Sequence, residues 1–168
     1  MARRALTRRS RPNGSRAELR LWLRLLKCTN LIESRIRGLL REDFASTLPR
    51  FDMLAQLEAT SAESPQGLTM SELSRRLMVS NGNLTGLTHR MVRENMVSRV
   101  TSRHDRRTQR VKLTPVGRRA FAAMARGHHA WVRAMFSGLS PAEVRQLHLL
   151  IGNLKDSVQA SGLKEDRP

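Results

Sequence analysis

The chain has 168 residues, 39% of them hydrophobic, which is enough to bury the core of one ordinary domain. It holds 31 Lys and Arg against 14 Asp and Glu, a formal net charge of +17, and one cysteine, Cys28. This charge favours polyanionic partners, and one cysteine excludes a disulfide framework within the chain.

The sequence contains no segment suited to a membrane or to export. No run approaches the roughly 20 apolar residues that a membrane-spanning helix needs. The first sixteen residues carry charge without the apolar core of a secretory signal. We therefore expect a cytoplasmic protein with no membrane partner.

Residues 1–16 are predicted to form a flexible basic arm. Its arginines are Arg3, Arg4, Arg8, Arg9, Arg11 and Arg16, and they flank Pro12-Asn13-Gly14. From Glu18 onward, apolar residues recur every three or four positions, which predicts a long first helix.

Two capped helices are predicted next. A helix from about Thr47 presents Phe51, Leu54 and Leu57 on one face, and residues 61–67 have the composition of a loop. Thr69 and Glu72 then have the spacing of a capping box, in which each side chain bonds the backbone N–H of the other. A short helix therefore begins there.

The following helix is predicted over residues 81–95, with Ser80 as its N-cap and with Leu84, Leu87 and Met91 facing inward. Residues 96–102 and 109–114 have β-branched side chains in partial alternation, which predicts a two-stranded hairpin.

Two further helices complete the chain. Thr114-Pro115 opens the first, with threonine as cap and proline in the first turn, and Ser140 and Glu143 form a second capping box before the last. Residues 161–168 are predicted to be a C-terminal tail. The apolar stripes are Phe121, Met124, His128, Trp131 and Met135, then Leu147, Leu150, Ile151, Leu154 and Val158.

This order of elements is that of a winged helix-turn-helix. The predicted fold class is mainly α with a small β-hairpin wing, combined with a helical dimerisation region. We expect residues 47–114 to form the winged helix-turn-helix, and residues 17–46 and 115–160 to form the dimerisation region.

In a helix-turn-helix the second helix enters the major groove of DNA. The outward side chains of the helix after Ser80 can pair with base edges or phosphates, whereas the alternative is an ordinary solvated face. The predicted DNA contacts on this helix are Ser80, Asn81, Asn83, Thr85, Thr88, His89 and Arg93.

The tip of the hairpin adds Arg103, Asp105, Arg106 and Arg107 to the predicted DNA contacts. Asp105 can pair with Arg107 and so orient the tip, although an exposed pair is worth only ~0–1 kcal/mol. Arginine at such a tip suits the negative potential of the minor groove. The alternative is an arbitrary charged turn.

From residue 68 to residue 121 the sequence resembles the DNA-binding region of the MarR (multiple-antibiotic-resistance regulator) family. The resemblance rests on Asp105-Arg106-Arg107, then Leu113-Thr114 and Gly117, downstream of the helix pair. It implies a homodimer on a near-palindromic operator in double-stranded DNA, repression of transcription, and release by a small anionic ligand. It also implies that Arg107 enters the minor groove and that Asp105 holds it.

The apolar residues support a homodimer independently, because three terminal helices of one small subunit would not easily cover so many large side chains. These residues are Trp22, Leu26, Trp131, Met135, Leu150 and Leu154.

The predicted effector is an aromatic carboxylate or its coenzyme A thioester, with Lys27, Arg35, His128 and Trp131 as contacts. The alternative makes the two cations solvent-exposed and His128 a satisfied core residue. Cys28 is either a redox sensor, as in some MarR relatives, or a small buried or interfacial side chain.

The histidines do not form a metal template, and no catalytic motif is present, so we expect no metal, cofactor or enzymatic activity. The rival function is an architectural protein that coats DNA through charge alone, without an effector. A winged-helix RNA binder is a third alternative, although two Trp and four Phe offer few stacking platforms.

Overall fold

The computed structural model describes residues 14–101 and 109–162, and side chains from residue 16 onward. The chain forms two compact units, the first ending at Phe121 and the second beginning at Ala122. No helix in the described part is long and apolar enough to span a membrane. The helices are α1 (Gly14–Phe44), α2 (Leu48–Ala59), α3 (Met70–Leu77), α4 (Asn81–Arg93), α5 (Pro115–Met135) and α6 (Pro141–Ala160), and the strands are β1 (Leu68–Thr69), β2 (Val97–Thr101) and β3 (Gln109–Leu113).

Helix α1 corrects the boundary of the predicted arm. It begins at Gly14, so residues 14–16 belong to the helix and not to the arm. The first turn of a helix needs no buried face, and Ala17 and Arg16 are good helix formers, so the charge of this segment does not prevent helix formation. Residues 1–13 lie outside the described part.

The core of the first unit lies where α2, α3 and α4 pack together. The predicted inward residues Phe51, Leu54 and Leu57 are buried on α2. Leu73 is fully buried on α3, whereas Leu77 is half-buried. An ion pair between Arg50 of α2 and Glu94, directly after α4, joins these helices at the surface. The buried apolar residues of α2 and α3 therefore determine the position of α4 in the first unit.

The wing has one strand more than the hairpin predicted from the sequence. Strands β2 and β3 form that hairpin, and the two-residue β1 pairs with the other edge of β3, giving the order β1-β3-β2. Gly67 precedes β1 with φ 88°, and a Cβ there would lie 2.2 Å from the Val111 carbonyl oxygen. Glycine at this position lets β1 approach β3.

The Leu-Thr-x-x-Gly segment has a structural role at the junction of β3 and α5. The Thr114 hydroxyl donates to the Asn95 carbonyl at 2.6 Å and accepts from the Gly117 N–H at 3.0 Å. A Cβ at Gly117 would lie 1.9 Å from the Met96 carbonyl oxygen. The segment therefore ties α5 to the chain that leaves α4.

The second unit contains the remainder of α5 and all of α6. The predicted capping box of Ser140 and Glu143 opens α6. No residue of α6 is buried, and Leu147, Leu150, Ile151 and Leu154 are all exposed within the single chain.

Candidate nucleic-acid interface

The turn between α3 and α4 is determined by local hydrogen bonds. The Thr69 side chain accepts from the Glu72 N–H, and the Thr69 N–H donates to Glu72 Oε2 at 2.7 Å, which confirms the capping box. The C-cap residue after α3 is Met78, which is in the left-handed conformation with φ 52°. Ser80 then caps α4, as predicted, by accepting from the Asn83 N–H. These caps fix where α4 begins.

Helix α4 presents six of its seven predicted contact residues to solvent. The exposed residues are Ser80, Asn81, Asn83, Thr85, His89 and Arg93. The Thr85 hydroxyl donates to the Asn81 carbonyl at 2.8 Å, and its oxygen can still accept a hydrogen bond. The opposite face is buried through Leu84, Leu87 and Met91.

Thr88 is not on the exposed face of α4, so its prediction as a DNA contact is wrong. Its exposed fraction is 0%, and its hydroxyl donates to the Leu84 carbonyl at 2.8 Å. Residue 88 lies four positions after Leu84 and three before Met91, which places it on the same face as these core residues. The same hydroxyl also lies 3.7 Å from Met70 Sδ on α3, so its polar group has partners in the core.

The exposed face includes residues that the sequence interpretation missed. Gly82 and Gly86 lie on it in ordinary helical conformation, and the Arg90 guanidinium extends back over Gly86. Arg75 and Arg76 are exposed in the last turn of α3. Two glycines within a helix and arginines at the end of the preceding helix were the signals available for these residues.

The charge on this helix pair is strongly positive. Residues 70–93 carry Arg75, Arg76, Arg90 and Arg93 against one acid, Glu72. The backbone hydrogen bond from Thr69 holds the pKa of Glu72 below its ordinary value. The Glu72 carboxylate is engaged in the capping box at the start of α3. The four arginines therefore give the helix pair the positive charge that attracts a phosphate backbone.

The base of the wing is anchored to the same helix pair. Arg110 Nη1 donates to the Gly67 carbonyl at 2.9 Å and lies 3.7 Å from Glu72 Oε2. The tip residues Arg103, Asp105, Arg106 and Arg107 lie outside the described residues, so the proposed brace between Asp105 and Arg107 stays a prediction.

The predicted effector residues fall in both units. Lys27 and Arg35 are exposed on α1, in the first unit, whereas His128 and Trp131 are half-buried on α5, in the second. Burial lowers the pKa of His128, and His129 lowers it further. The effector roles of these four residues stay predictions.

Cys28 is exposed on α1, so it is not buried within its own chain, and its interfacial and redox roles stay predictions. Among the described residues, no three His, Cys, Asp or Glu side chains are grouped as metal ligands.

The capped α3, the exposed polar face of α4 and the three-stranded wing define the class of protein: this is a winged helix-turn-helix. Residues 47–108 match the model of the MarR family. The chain carries the winged helix-turn-helix domain of the MarR family, a family of transcriptional regulators, which confirms the resemblance.

Curated relatives agree with this assignment. The transcriptional activatory protein BadR of Rhodopseudomonas palustris is 34% identical over 107 residues, which are 63% of this chain and 59% of BadR. The match thus covers less than two thirds of BadR. The HTH-type transcriptional regulator PapX of Escherichia coli is 23% identical over 119 residues, covering 71% of this chain and 73% of PapX. These relatives are transcriptional regulators, not enzymes.

Solved structures show the same fold. A MarR family transcriptional regulator from Silicibacter pomeroyi has a TM-score of 0.72 at 26% identity, covering 88% of this chain and 99% of its own. AbsC, a MarR family transcriptional regulator from Streptomyces coelicolor, has a TM-score of 0.71 at 25% identity, covering 91% and 99%.

Proposed function

We propose that this protein is a transcriptional regulator that binds a near-palindromic operator in double-stranded DNA as a homodimer. The observation that carries the proposal is the exposed face of α4, where Asn81, Asn83, Thr85 and Arg93 surround two glycines. Amide and hydroxyl groups of this kind read base edges, and arginine neutralises phosphates.

Footprinting with a competitor tests the proposal against the rival architectural function. An operator-binding dimer protects two symmetric half-sites about one helical turn apart. It should also prefer its operator over unrelated duplex by ~10³-fold or more. Continuous protection with no preference would instead establish a coating protein.

The family resemblance supports repression of transcription, whereas BadR is named as an activatory protein. A reporter gene placed behind the footprinted operator shows whether the protein represses or activates transcription. Deleting the regulator should raise reporter expression; a fall would show that this protein activates. A cytoplasmic location stays a prediction that follows from this role.

The proposed effector is an aromatic carboxylate or its coenzyme A thioester, and the exposed cations Lys27 and Arg35 support it. Calorimetry with benzoate and benzoyl-coenzyme A is the test. Binding by wild type that weakens in Lys27→Gln and Arg35→Gln supports the proposal, whereas no heat from either compound removes it.

A further inference from the structure

A cavity of about 270 Å³ lies at the base of the wing, within the first unit. Its walls come from the end of α2, the loop before β1, the end of β3 and the first turn of α5. The polar side chains in these walls are Ser61, Ser64, Lys112 and Arg118. None of them is among the predicted DNA or effector contacts.

Arg118 is held in place by a carboxylate that lies beside the cavity. Its Nη1 atom lies 2.7 Å from both Oε1 and Oε2 of Glu58. Glu58 Oε2 is buried without a hydrogen bond in the described part of the chain, so the ion pair alone balances its charge. One guanidinium nitrogen is therefore fixed, and the remaining N–H groups are available for a ligand.

The other polar groups have no competing partners. Lys112 is exposed and forms no ion pair with any residue that the structure describes. Ser61 and Ser64 are half-buried, and across residues 16–101 and 109–162 their hydroxyls form no hydrogen bond. Because Glu58 offsets Arg118, the charge of Lys112 leaves the cavity with a net positive charge.

We propose that this cavity binds a phosphate-type oxyanion, with Lys112 and Arg118 as its cations and Ser61 and Ser64 as hydroxyl donors. Tetrahedral oxyanions are recognised by this combination, because an ammonium supplies point charge while guanidinium and hydroxyl groups supply directed hydrogen bonds. The anion is either a free phosphate group or a phosphodiester of the duplex.

Lys112→Gln tests the site, and Arg119→Gln is the matched control. Lys112 and Arg119 are both exposed, and either change removes one positive charge, but Arg119 does not line the cavity. Inorganic phosphate is titrated into the full-length protein by calorimetry at constant ionic strength. Salt-dependent binding of a duplex is measured in parallel by fluorescence anisotropy.

For a free phosphate group, wild type and Arg119→Gln bind phosphate saturably, and Lys112→Gln binds about tenfold more weakly, the effect of losing one charge-assisted hydrogen bond. For a duplex phosphodiester, Lys112→Gln alone lowers the dependence of duplex affinity on salt by about one ion. If Lys112→Gln and Arg119→Gln behave alike towards both ligands, the site is overturned. The phosphate titration uses no DNA, so it tests the free-phosphate site even if the proposed operator binding fails.

Discussion

Two glycines lie on the exposed face of α4, where the protein's own packing does not require them. A Cβ at Gly82 would meet no atom within 4 Å, and one at Gly86 would meet the end of Arg90 at 4.0 Å. Glycine in a helix costs about 0.5–1 kcal/mol relative to alanine. We interpret the two glycines as leaving room for a duplex to approach α4 closely.

Gly82→Ala should therefore stabilise the free protein by at most about 0.5 kcal/mol, since Gly82 lies in the first turn of α4, while weakening duplex binding, because the new methyl group occupies space that the duplex needs. Thermal unfolding and anisotropy measure the two effects. Gly38→Ala on α1 is the control, since a Cβ there meets only Glu42 Oε1 at 4.0 Å. If Gly82→Ala and Gly38→Ala bind the duplex equally well, close approach at α4 is ruled out.

Thr85 and Thr88 form a second matched pair on α4, one exposed and one buried. Thr85→Val should cost about 1 kcal/mol of operator affinity, the scale of one hydrogen bond. Thr88→Val should leave affinity unchanged and lower the free energy of unfolding by at most about 1.5 kcal/mol, through loss of the bond to Leu84. Equal losses of affinity would mean that the exposed face has been misidentified.

At the scale of the element, the start of α3 depends on an ionised carboxylate. The pKa of Glu72 is lowered in the folded protein, first by the backbone hydrogen bond from Thr69. Its contribution to stability is therefore fully present above the ordinary value of 4.5 and is lost as pH falls through the lowered pKa.

Glu72→Gln should reduce the free energy of unfolding at pH 7 by about 0.5 kcal/mol, a small effect because solvent screens a side chain with 36% of its surface exposed. The difference from wild type should disappear as pH falls below 4.5. Denaturant unfolding across this range is the measurement. Glu63→Gln, which removes a charge from the neighbouring loop but leaves the capping box of Thr69 and Glu72 intact, is the control.

Arg110 connects the wing to the helix pair, and its Nε is buried without a hydrogen bond to any described residue. Arg110→Met removes the bond to Gly67 but also this unsatisfied N–H, so the two effects on stability offset each other. We expect faster hydrogen exchange of the amides of β1 and β3, and weaker duplex binding. Arg99→Met on β2, where the side chain is exposed, is the control for exchange. Unchanged exchange in β1 would remove the anchoring role of Arg110.

At the scale of the whole molecule, apolar side chains remain uncovered in both units. Trp22 on α1 is 56% exposed, and Leu150 on α6 is 58% exposed. Exposed apolar surface of this kind marks sites of protein association. The exposure of these residues supports the proposed homodimer.

The double substitution Leu150→Glu with Leu154→Glu should convert a dimer to single chains, because charge cannot be buried in an apolar interface. Light scattering measures the mass, and circular dichroism checks that the helices remain folded. His148→Glu, also exposed on α6, should stay dimeric. A double variant that keeps the mass of two chains would place the interface elsewhere.

The sequence alone determined the elements whose causes are local. Capping boxes at Thr69 and Ser140, and apolar residues spaced three or four apart, act within one helical turn, so they can be recognised without tertiary contacts. The resemblance to the MarR family could also be recognised from one continuous segment of sequence. In the structure, Thr114 and Gly117 of that segment join α5 to the end of α4.

The tertiary structure decided what depends on residues far apart in the chain. Strand β1 is too short to show a pattern and exists because Leu68 pairs with Val111. Thr88 is buried because neighbouring elements cover its side of α4, which a polar side chain does not reveal. The cavity that contains Lys112 and Arg118 likewise depends on α2, β3 and α5 meeting. Local periodicity predicts a face, but only packing decides which residues at its edge are covered.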